Sequence, residues 1–201
     1  MEGQAPRAAT VVAVTGDVGA GKSTVSRLLS ELSGGVLLDA DAAAKDMWRR
    51  KEVIEAAVKR WGSGILDEDG NIIPGAVASR IFSDPDEHRW CCGLIHPLVM
   101  EALRRRVAEL APDCPAVVEV PLLFEVGRPG WIDKVIFVTA PREARAMRCR
   151  AQRGWDEAEL SRRESFFMLS EERMRLSDFV INNDGDLKEL SVKVQEIIGE
   201  I

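Results

Sequence analysis

Short apolar runs alternate along the chain with longer segments in which apolar residues recur every three or four positions. A run of β-branched residues between turn residues is typical of a buried strand in a parallel sheet, whereas the longer spacing is typical of a helix with one apolar face. The runs fall at residues 11–14, 36–38, 117–120, 135–138 and 179–181. Their alternation with helical segments predicts an α/β fold built on a doubly wound parallel sheet.

Strand signals are scarce between residues 42 and 112, where the sequence predicts helices interrupted by a polar turn. We interpret this stretch as a helical substrate region inserted into the sheet domain. One of its helices is expected to begin near Pro85 and to end near His96, because Pro97 disfavours helical backbone in the residue before it. The whole chain, 1–201, is predicted to be a single domain, with a loose tail at residues 1–9.

Composition narrows the class of protein. The chain has 201 residues, of which 46% are hydrophobic, and this suffices for one sizeable core. Its net charge of −6 argues against a nucleic-acid-binding surface. No apolar run resembles a signal peptide or a membrane span, which predicts a cytoplasmic protein without a membrane partner. The cysteines lack metal-ligand spacing, and no feature of the sequence indicates an obligate protein partner.

Residues 16–24 match the pattern G-x-x-x-x-G-K-[S/T] between the first predicted strand and the first predicted helix. A phosphate-binding loop requires that context, because backbone N–H groups then converge on the phosphates at the positive end of a helix. Lys22 is expected to contact the outer phosphates of a bound triphosphate, and the Ser23 hydroxyl to complete the coordination of a Mg²⁺ held mainly by water and phosphate oxygens. The alternative is a glycine-rich turn that merely precedes a helix. The expected nucleotide-binding residues are Gly19, Ala20, Gly21, Lys22, Ser23 and Thr24.

Two carboxylates, Asp39 and Asp41, follow the second predicted strand. Ligands of open α/β sheets bind at the carboxyl ends of the strands, which is also the edge that carries the phosphate loop. Alternation along an extended chain would place both side chains on one side, facing the phosphates and Mg²⁺, and one of them could instead accept a substrate proton. Alternatively, one only caps the helix that is expected to begin near Ala42.

Two further titratable residues are open to a functional or a structural interpretation. Glu119, within the third predicted strand, is either an acidic group near Mg²⁺ or a buried structural residue. His96 lies at the expected helix end, where a histidine is more often a structural hydrogen-bonding group than a catalyst.

Arginine is concentrated in residues 142–175, after the fourth predicted strand. Guanidinium groups suit phosphate because they are always charged and can bond two oxygens at once. We therefore expect a lid that closes on the triphosphate, with Arg148 and Arg153 as the catalytic candidates. Most of these charges are alternatively a solvated helix face.

Taken in order, these motifs resemble those of the dephospho-CoA kinase family, whose members phosphorylate the ribose 3′-hydroxyl of dephospho-CoA with ATP. The resemblance extends over residues 11–190 and rests on an ordered set of stretches. These are the phosphate loop, Asp39-Ala40-Asp41, Arg80-Ile81-Phe82, His96-Pro97-Leu98, Pro121-Leu122-Leu123-Phe124-Glu125 and Asp178-Phe179-Val180-Ile181-Asn182-Asn183.

The resemblance implies a helical region that binds dephospho-CoA and a mobile lid over ATP. It implies that Asp41 is the base, that the loop around Asn183 approaches adenine, and that Arg163 is a further lid residue. Asp39 is expected mainly to support the metal and its water shell. The residues expected to contact the substrate are Asp39, Asp41, Arg80, His96, Pro121 and Leu122.

Two residues depart from the pattern of the family that the chain resembles. Asp17 stands where the family usually has a second glycine, and it is expected to place a negative charge near the triphosphate entrance. Phe167 stands where the lid often has glutamine.

Two other classes of protein are compatible with a phosphate loop. A shikimate-type or nucleotide-type kinase is one, although a shikimate kinase should have a Gly-Gly-Gly turn where this chain has Pro121-Leu122-Leu123. A GTP-dependent switch is the other, and it should carry an Asn/Thr-Lys-x-Asp motif that the sequence lacks.

Overall fold

A computed structural model describes residues 9–201; residues 1–8 of the expected N-terminal tail lie outside this range. The strands are β1 (Val11–Gly16), β2 (Val36–Asp39), β3 (Ala116–Glu119), β4 (Lys134–Thr139) and β5 (Phe179–Asn182). The helices are α1 (Lys22–Ser33), α2 (Ala40–Met47), α3 (Lys51–Trp61), α4 (Pro74–Ile81), α5 (Pro85–Ala108), α6 (Leu123–Val126), α7 (Arg142–Arg153), α8 (Glu157–Glu164), α9 (Ser170–Arg175) and α10 (Leu187–Ile198), with a 3-10 turn at Ser63–Ile65.

The five strands form one parallel sheet in the order β2-β3-β1-β4-β5. Every residue of the central strand β1 is buried, as expected for a strand covered on both faces. Helices α1 and α10 pack on one of those faces, where Val14, Leu29 and Val194 belong to a single apolar cluster. The predicted α/β fold with a parallel sheet is therefore confirmed.

The described chain divides into two compact units. The first holds the sheet and consists of the described residues up to Asp39 together with Arg104–Ile201, and the second is Ala40–Leu103. The second unit is helical apart from a short antiparallel bridge between Leu66 and Ile72. The substrate role that we assign to this region stays a prediction.

Three tryptophans contribute to the core of the second unit. Trp61 stacks on Trp48 and meets Trp90 edge to face, with ring centroids 6.3 Å and 4.9 Å apart. The Nε1 atom of Trp61 donates to Glu87 at 2.7 Å, and the same carboxylate accepts two hydrogen bonds from Arg60. The polar edge of Trp61 is thus paired rather than left unsatisfied.

The predicted end of a helix at His96 is wrong, because α5 continues through Pro97 to Ala108. Proline in a helix interior removes one backbone hydrogen bond and crowds the preceding turn. Four buried residues of α5 recur at every fourth position on both sides of that point: Cys91, Ile95, Val99 and Leu103. Burial of this continuous apolar stripe outweighs the local cost of proline.

The expected extended backbone through Asp41 is also wrong. Strand β2 ends at Asp39 and α2 begins at Ala40, two residues earlier than predicted, so Asp41 lies in the first turn of a helix. The alternation of side chains along a strand therefore does not relate Asp39 to Asp41. A carboxylate in a first turn interacts favourably with the helix dipole.

The close approach of β1 and β4 gives a test of the fold. Gly16 has a φ of +147°, and a Cβ atom there would lie 2.0 Å from the carbonyl oxygen of Val138. We expect Gly16→Ala to lower the free energy of unfolding by more than about 3 kcal/mol, measured by urea titration. Gly93→Ala is the control, because that glycine lies in α5 with nothing within 4 Å of the added atom. Equal urea midpoints for the two variants would contradict the close contact.

Candidate active site

The phosphate loop joins β1 to α1 and places Lys22 at the first residue of the helix. The Nζ atom of Lys22 donates to the carbonyl oxygens of Gly16 at 3.2 Å and Asp17 at 2.9 Å. The ammonium group therefore folds back over the loop. A phosphate bound there would compete with these two carbonyl oxygens for the lysine.

Asn183, directly after β5, packs against the phosphate loop. Its Nδ2 atom donates to the carbonyl oxygen of Ala20 at 2.8 Å, and the residue is 7% exposed. A Cβ atom on Gly21 would lie 2.4 Å from the same Nδ2 atom. The last glycine of the loop thus leaves room for Asn183, whose amide supports the loop backbone. The approach of this region to adenine stays a prediction.

Two carboxylates meet at the carboxyl ends of β2 and β3. Asp39 and Glu119 are direct partners in the parallel register, and the Ser23 hydroxyl donates to Oε1 of Glu119 at 2.9 Å. Burial raises the pKa of Glu119 above its ordinary value of 4.5, and the negative charge of Asp39 adds to this effect. The hydrogen bond from Ser23 and the positive charge of Lys22 oppose the shift.

This edge of the sheet fits Mg²⁺ by the chemistry of its oxygen donors. Mg²⁺ is usually held by one or two carboxylates together with water and substrate phosphates, rather than by a cage of protein ligands. Ser23, Asp39 and Glu119 supply a hydroxyl and two carboxylates beside the phosphate loop. Within residues 9–201, no group of three or more His, Cys, Asp or Glu side chains is arranged to hold a metal by itself.

The arginines of α7 differ in their surroundings. Arg142 and Arg145 both pair with Glu164 of α8. Arg145 is buried and also donates to the carbonyl oxygens of Ala140 at 3.1 Å and Val18 at 3.3 Å. Its charge therefore serves to join α7 and α8 to the phosphate loop.

Arg148 connects two segments that the sequence assigned to nucleotide binding. Its guanidinium donates to the carbonyl oxygen of Ala20 at 3.2 Å and to that of Asn183 at 3.0 Å. It thus lies against the backbone of the phosphate loop on one side and the segment after β5 on the other. A contact between Arg148 and phosphate stays a prediction.

Arg153 and Arg163 lie over the same aromatic ring. Their guanidinium carbons are 4.7 Å and 4.9 Å from the centroid of Trp155, a separation typical of cation–π contacts. Arg163 also donates from Nε to Glu159 at 2.7 Å. Their role in a lid stays a prediction.

The Asp17 carboxylate is buried and paired, which the sequence did not predict. The residue is only 4% exposed, and its carboxylate accepts hydrogen bonds from Thr139, Ser170 and Arg173. The side chain is therefore paired inside the first unit and does not stand at an open entrance. Sequence reasoning missed Arg173 because its partner in the loop lies 156 residues away.

The remaining predicted substrate residues lie in both units. Pro121 accepts a hydrogen bond from the Thr15 hydroxyl at 3.1 Å, and Leu122 directly precedes α6. In the second unit, Asp41 and Arg80 are exposed, on α2 and α4. His96 lies within α5.

His96 differs from an ordinary surface histidine. Burial lowers the pKa of its imidazole from 6.5, so the neutral form is favoured. Its Nε2 atom is buried and has no hydrogen-bond partner in the part of the chain that the structure describes.

Comparison with known proteins identifies the family. Residues 10–189 match the model of the family described as dephospho-CoA kinase. The chain belongs to the dephospho-CoA kinase family. A curated dephospho-CoA kinase from Aquifex aeolicus is 34% identical over 191 residues, which cover 94% of this chain and 96% of the relative.

Two solved structures resemble this kinase over nearly their whole lengths. The protein TT1252 from Thermus thermophilus has a TM-score of 0.78 and 32% identity, covering 97% of this chain and 99% of that structure. A dephospho-CoA kinase from Campylobacter jejuni has a TM-score of 0.68 and 21% identity, covering 94% and 96%, and it supports the fold alone. The expected family is thereby confirmed. No helix in residues 9–201 combines the length and apolar character needed to cross a membrane.

The contacts of Arg148 predict that its loss lowers kcat/KM for ATP more than the loss of Arg150, which is exposed on the same helix. Hydrogen bonds to charged groups contribute about 1.5–3 kcal/mol, so we expect Arg148→Ala to lower kcat/KM for ATP by about tenfold to a hundredfold. Arg150→Ala should change it by less than about twofold. Steady-state kinetics with varied ATP measures both. Equal effects at the two positions would favour the interpretation of the arginine-rich segment as a solvated surface.

Proposed function

We propose that this kinase transfers the γ-phosphoryl group of ATP to the ribose 3′-hydroxyl of dephospho-CoA, giving coenzyme A and ADP. The observation that carries the proposal is the family match over residues 10–189, which includes the phosphate loop and the residues around it. In the transfer, the bond between the γ-phosphorus and the bridging oxygen of ADP breaks. A bond from that phosphorus to the 3′-oxygen forms, and the hydroxyl proton passes to a base.

Lys22 is proposed to stabilise the negative charge of the phosphoryl group during its transfer. Phosphoryl transfer has a loose transition state in most analyses, so an enzyme gains mainly from positioning and charge stabilisation. The carbonyl oxygens of Gly16 and Asp17 hold the ammonium group over the loop. Binding of the triphosphate therefore replaces existing hydrogen bonds of Lys22 and does not require a distant side chain to be ordered.

Ser23, Asp39 and Glu119 are proposed to hold Mg²⁺, partly through water. Bound there, the ion would neutralise charge on the β- and γ-phosphates. Ser23 suits direct contact, because it is exposed in the first turn of α1 while its hydroxyl bonds Glu119. Asp39 is exposed at the strand end and suits the metal and its water shell.

Asp41 is proposed as the base that orients the acceptor hydroxyl and takes its proton late in the transfer. The support is its match to the second Asp of the family motif and its position in the first turn of α2. Arg80, His96, Pro121 and Leu122 are proposed to contact dephospho-CoA, on the same resemblance. Arg148, Arg153 and Arg163 are proposed to belong to the lid.

The rate of ADP release with different acceptors tests the identity of the acceptor substrate. We expect dephospho-CoA to stimulate ADP release by purified protein more than shikimate, nucleoside monophosphates or water do, in a coupled assay with equal concentrations of each acceptor. A larger rate with another acceptor, or no rate above that with water, would refute the assignment.

Lys22→Ala removes the cation that stabilises the transferred phosphoryl group. The variant should lose turnover while dephospho-CoA still binds, as measured by calorimetry.

Two aspartate variants separate the base from the metal residue. Asp41→Asn keeps the size of the side chain but removes the proton acceptor, and loss of a general base typically costs about 10²–10⁴-fold in rate. We expect that fall in kcat with little change in ATP binding. Asp39→Asn should instead raise the concentration of Mg²⁺ needed for half-maximal activity. Rescue of Asp41→Asn by Mg²⁺, or a near-normal kcat, would show that Asp41 is not the base.

A further inference from the structure

A buried ion pair joins the phosphate loop to helix α9. The Nη2 atom of Arg173 lies 2.9 Å from Oδ1 of Asp17, and the two side chains are 4% and 5% exposed. An unpaired charge at such a position would be costly, because neither group could be solvated by water. Removal of either side chain would therefore leave the other as an uncompensated buried charge.

The carboxylate of Asp17 is fully engaged by donors from other elements. The Thr139 hydroxyl at the end of β4 donates to Oδ2 at 2.7 Å, and the Ser170 hydroxyl at the start of α9 donates to Oδ1. With Arg173, three side chains bond this one group. The start of the phosphate loop is thus fixed to both β4 and α9.

Two aromatic rings contact the guanidinium of Arg173, whose Nε atom is buried without a hydrogen-bond partner in the described residues. Its central carbon lies over the ring of Phe137 and over that of Phe167, 5.1 Å and 5.2 Å from their centroids. Aromatic faces stabilise a cation that water cannot reach. Asp17 and Phe167, the two positions at which the sequence departs from the family pattern, therefore contact the same arginine.

The pair also shares backbone atoms with the phosphate-binding lysine. The carbonyl oxygen of Gly16 accepts from Nη1 of Arg173 at 3.3 Å and from Nζ of Lys22 at 3.2 Å, while the carbonyl of Asp17 accepts from the same Nζ. A net charge on the pair would act over a short distance in a poorly solvated region. Electrostatic energies are large there, so that charge would be felt by a bound triphosphate.

We propose that Arg173 is a positioning residue for ATP. It neutralises the buried charge of Asp17 beside Lys22, which allows the phosphate loop to contain an acidic residue and still bind a triphosphate. The inference rests on the proposed function for the identity of the nucleotide. It does not depend on the acceptor.

The test measures the Kd of ATP by calorimetry without any acceptor. Arg173→Met keeps an unbranched apolar stem but leaves the Asp17 charge uncompensated, and we expect it to weaken ATP binding by about tenfold. The double variant Asp17→Asn/Arg173→Met removes both charges and should bind ATP within about threefold of the unmodified protein. Asp17→Asn alone leaves a net positive charge on the pair and should not weaken ATP binding.

Arg175→Met is the matched control. This arginine lies on the same helix, is 75% exposed and pairs with Glu171 at 3.8 Å, so its loss should leave the Kd unchanged. If the role of Arg173 were purely structural, removing Asp17 as well would not restore binding. The double variant would then bind ATP as weakly as Arg173→Met or more weakly. That outcome would overturn the proposal.

Folding of the variants is checked by their thermal midpoints. Should Arg173→Met fail to fold, Arg173→Lys takes its place, because it keeps the charge and loses the planar fork. We expect its Kd to stay within about threefold, and a loss of about tenfold would contradict a role based on charge. Because no acceptor is present, inactivity towards dephospho-CoA would overturn the proposed function and leave this test unaffected.

Discussion

The parallel register of the sheet is the constraint on which the candidate site depends. It places the ends of β1, β2 and β3 at one edge, so that the phosphate loop, Asp39 and Glu119 become neighbours. The hydrogen bond from Ser23 to Glu119 then ties the start of α1 to the end of β3. A shift of one residue in either pairing would turn these side chains to the other face.

Local patterns were sufficient for much of this architecture. Runs of β-branched residues predicted the five strands, and the loop motif predicted the junction of β1 and α1, because both signals depend on neighbours in the chain. The register between strands is not a local property. The pairing of Asp39 with Glu119 therefore emerged only from the fold.

The errors of the sequence analysis have physical causes. Proline was expected to end a helix at His96, but an apolar stripe on both sides of Pro97 keeps α5 continuous. Asp17 was expected to place an unpaired negative charge near the triphosphate entrance, but Arg173 of α9 pairs with it in the interior. In both cases contacts between distant parts of the chain overrode a rule about adjacent residues.

Gly21 and Asn183 have a consequence for the mutational behaviour of the chain. A side chain at position 21 would occupy the space of the Asn183 amide, and a smaller residue at 183 would remove the hydrogen bond to Ala20. The two positions are distant in sequence and share one space in the fold. A change at position 183 would relieve the clash but not the strain of a φ of +93° at position 21, so the loop has few paths by which it can evolve there.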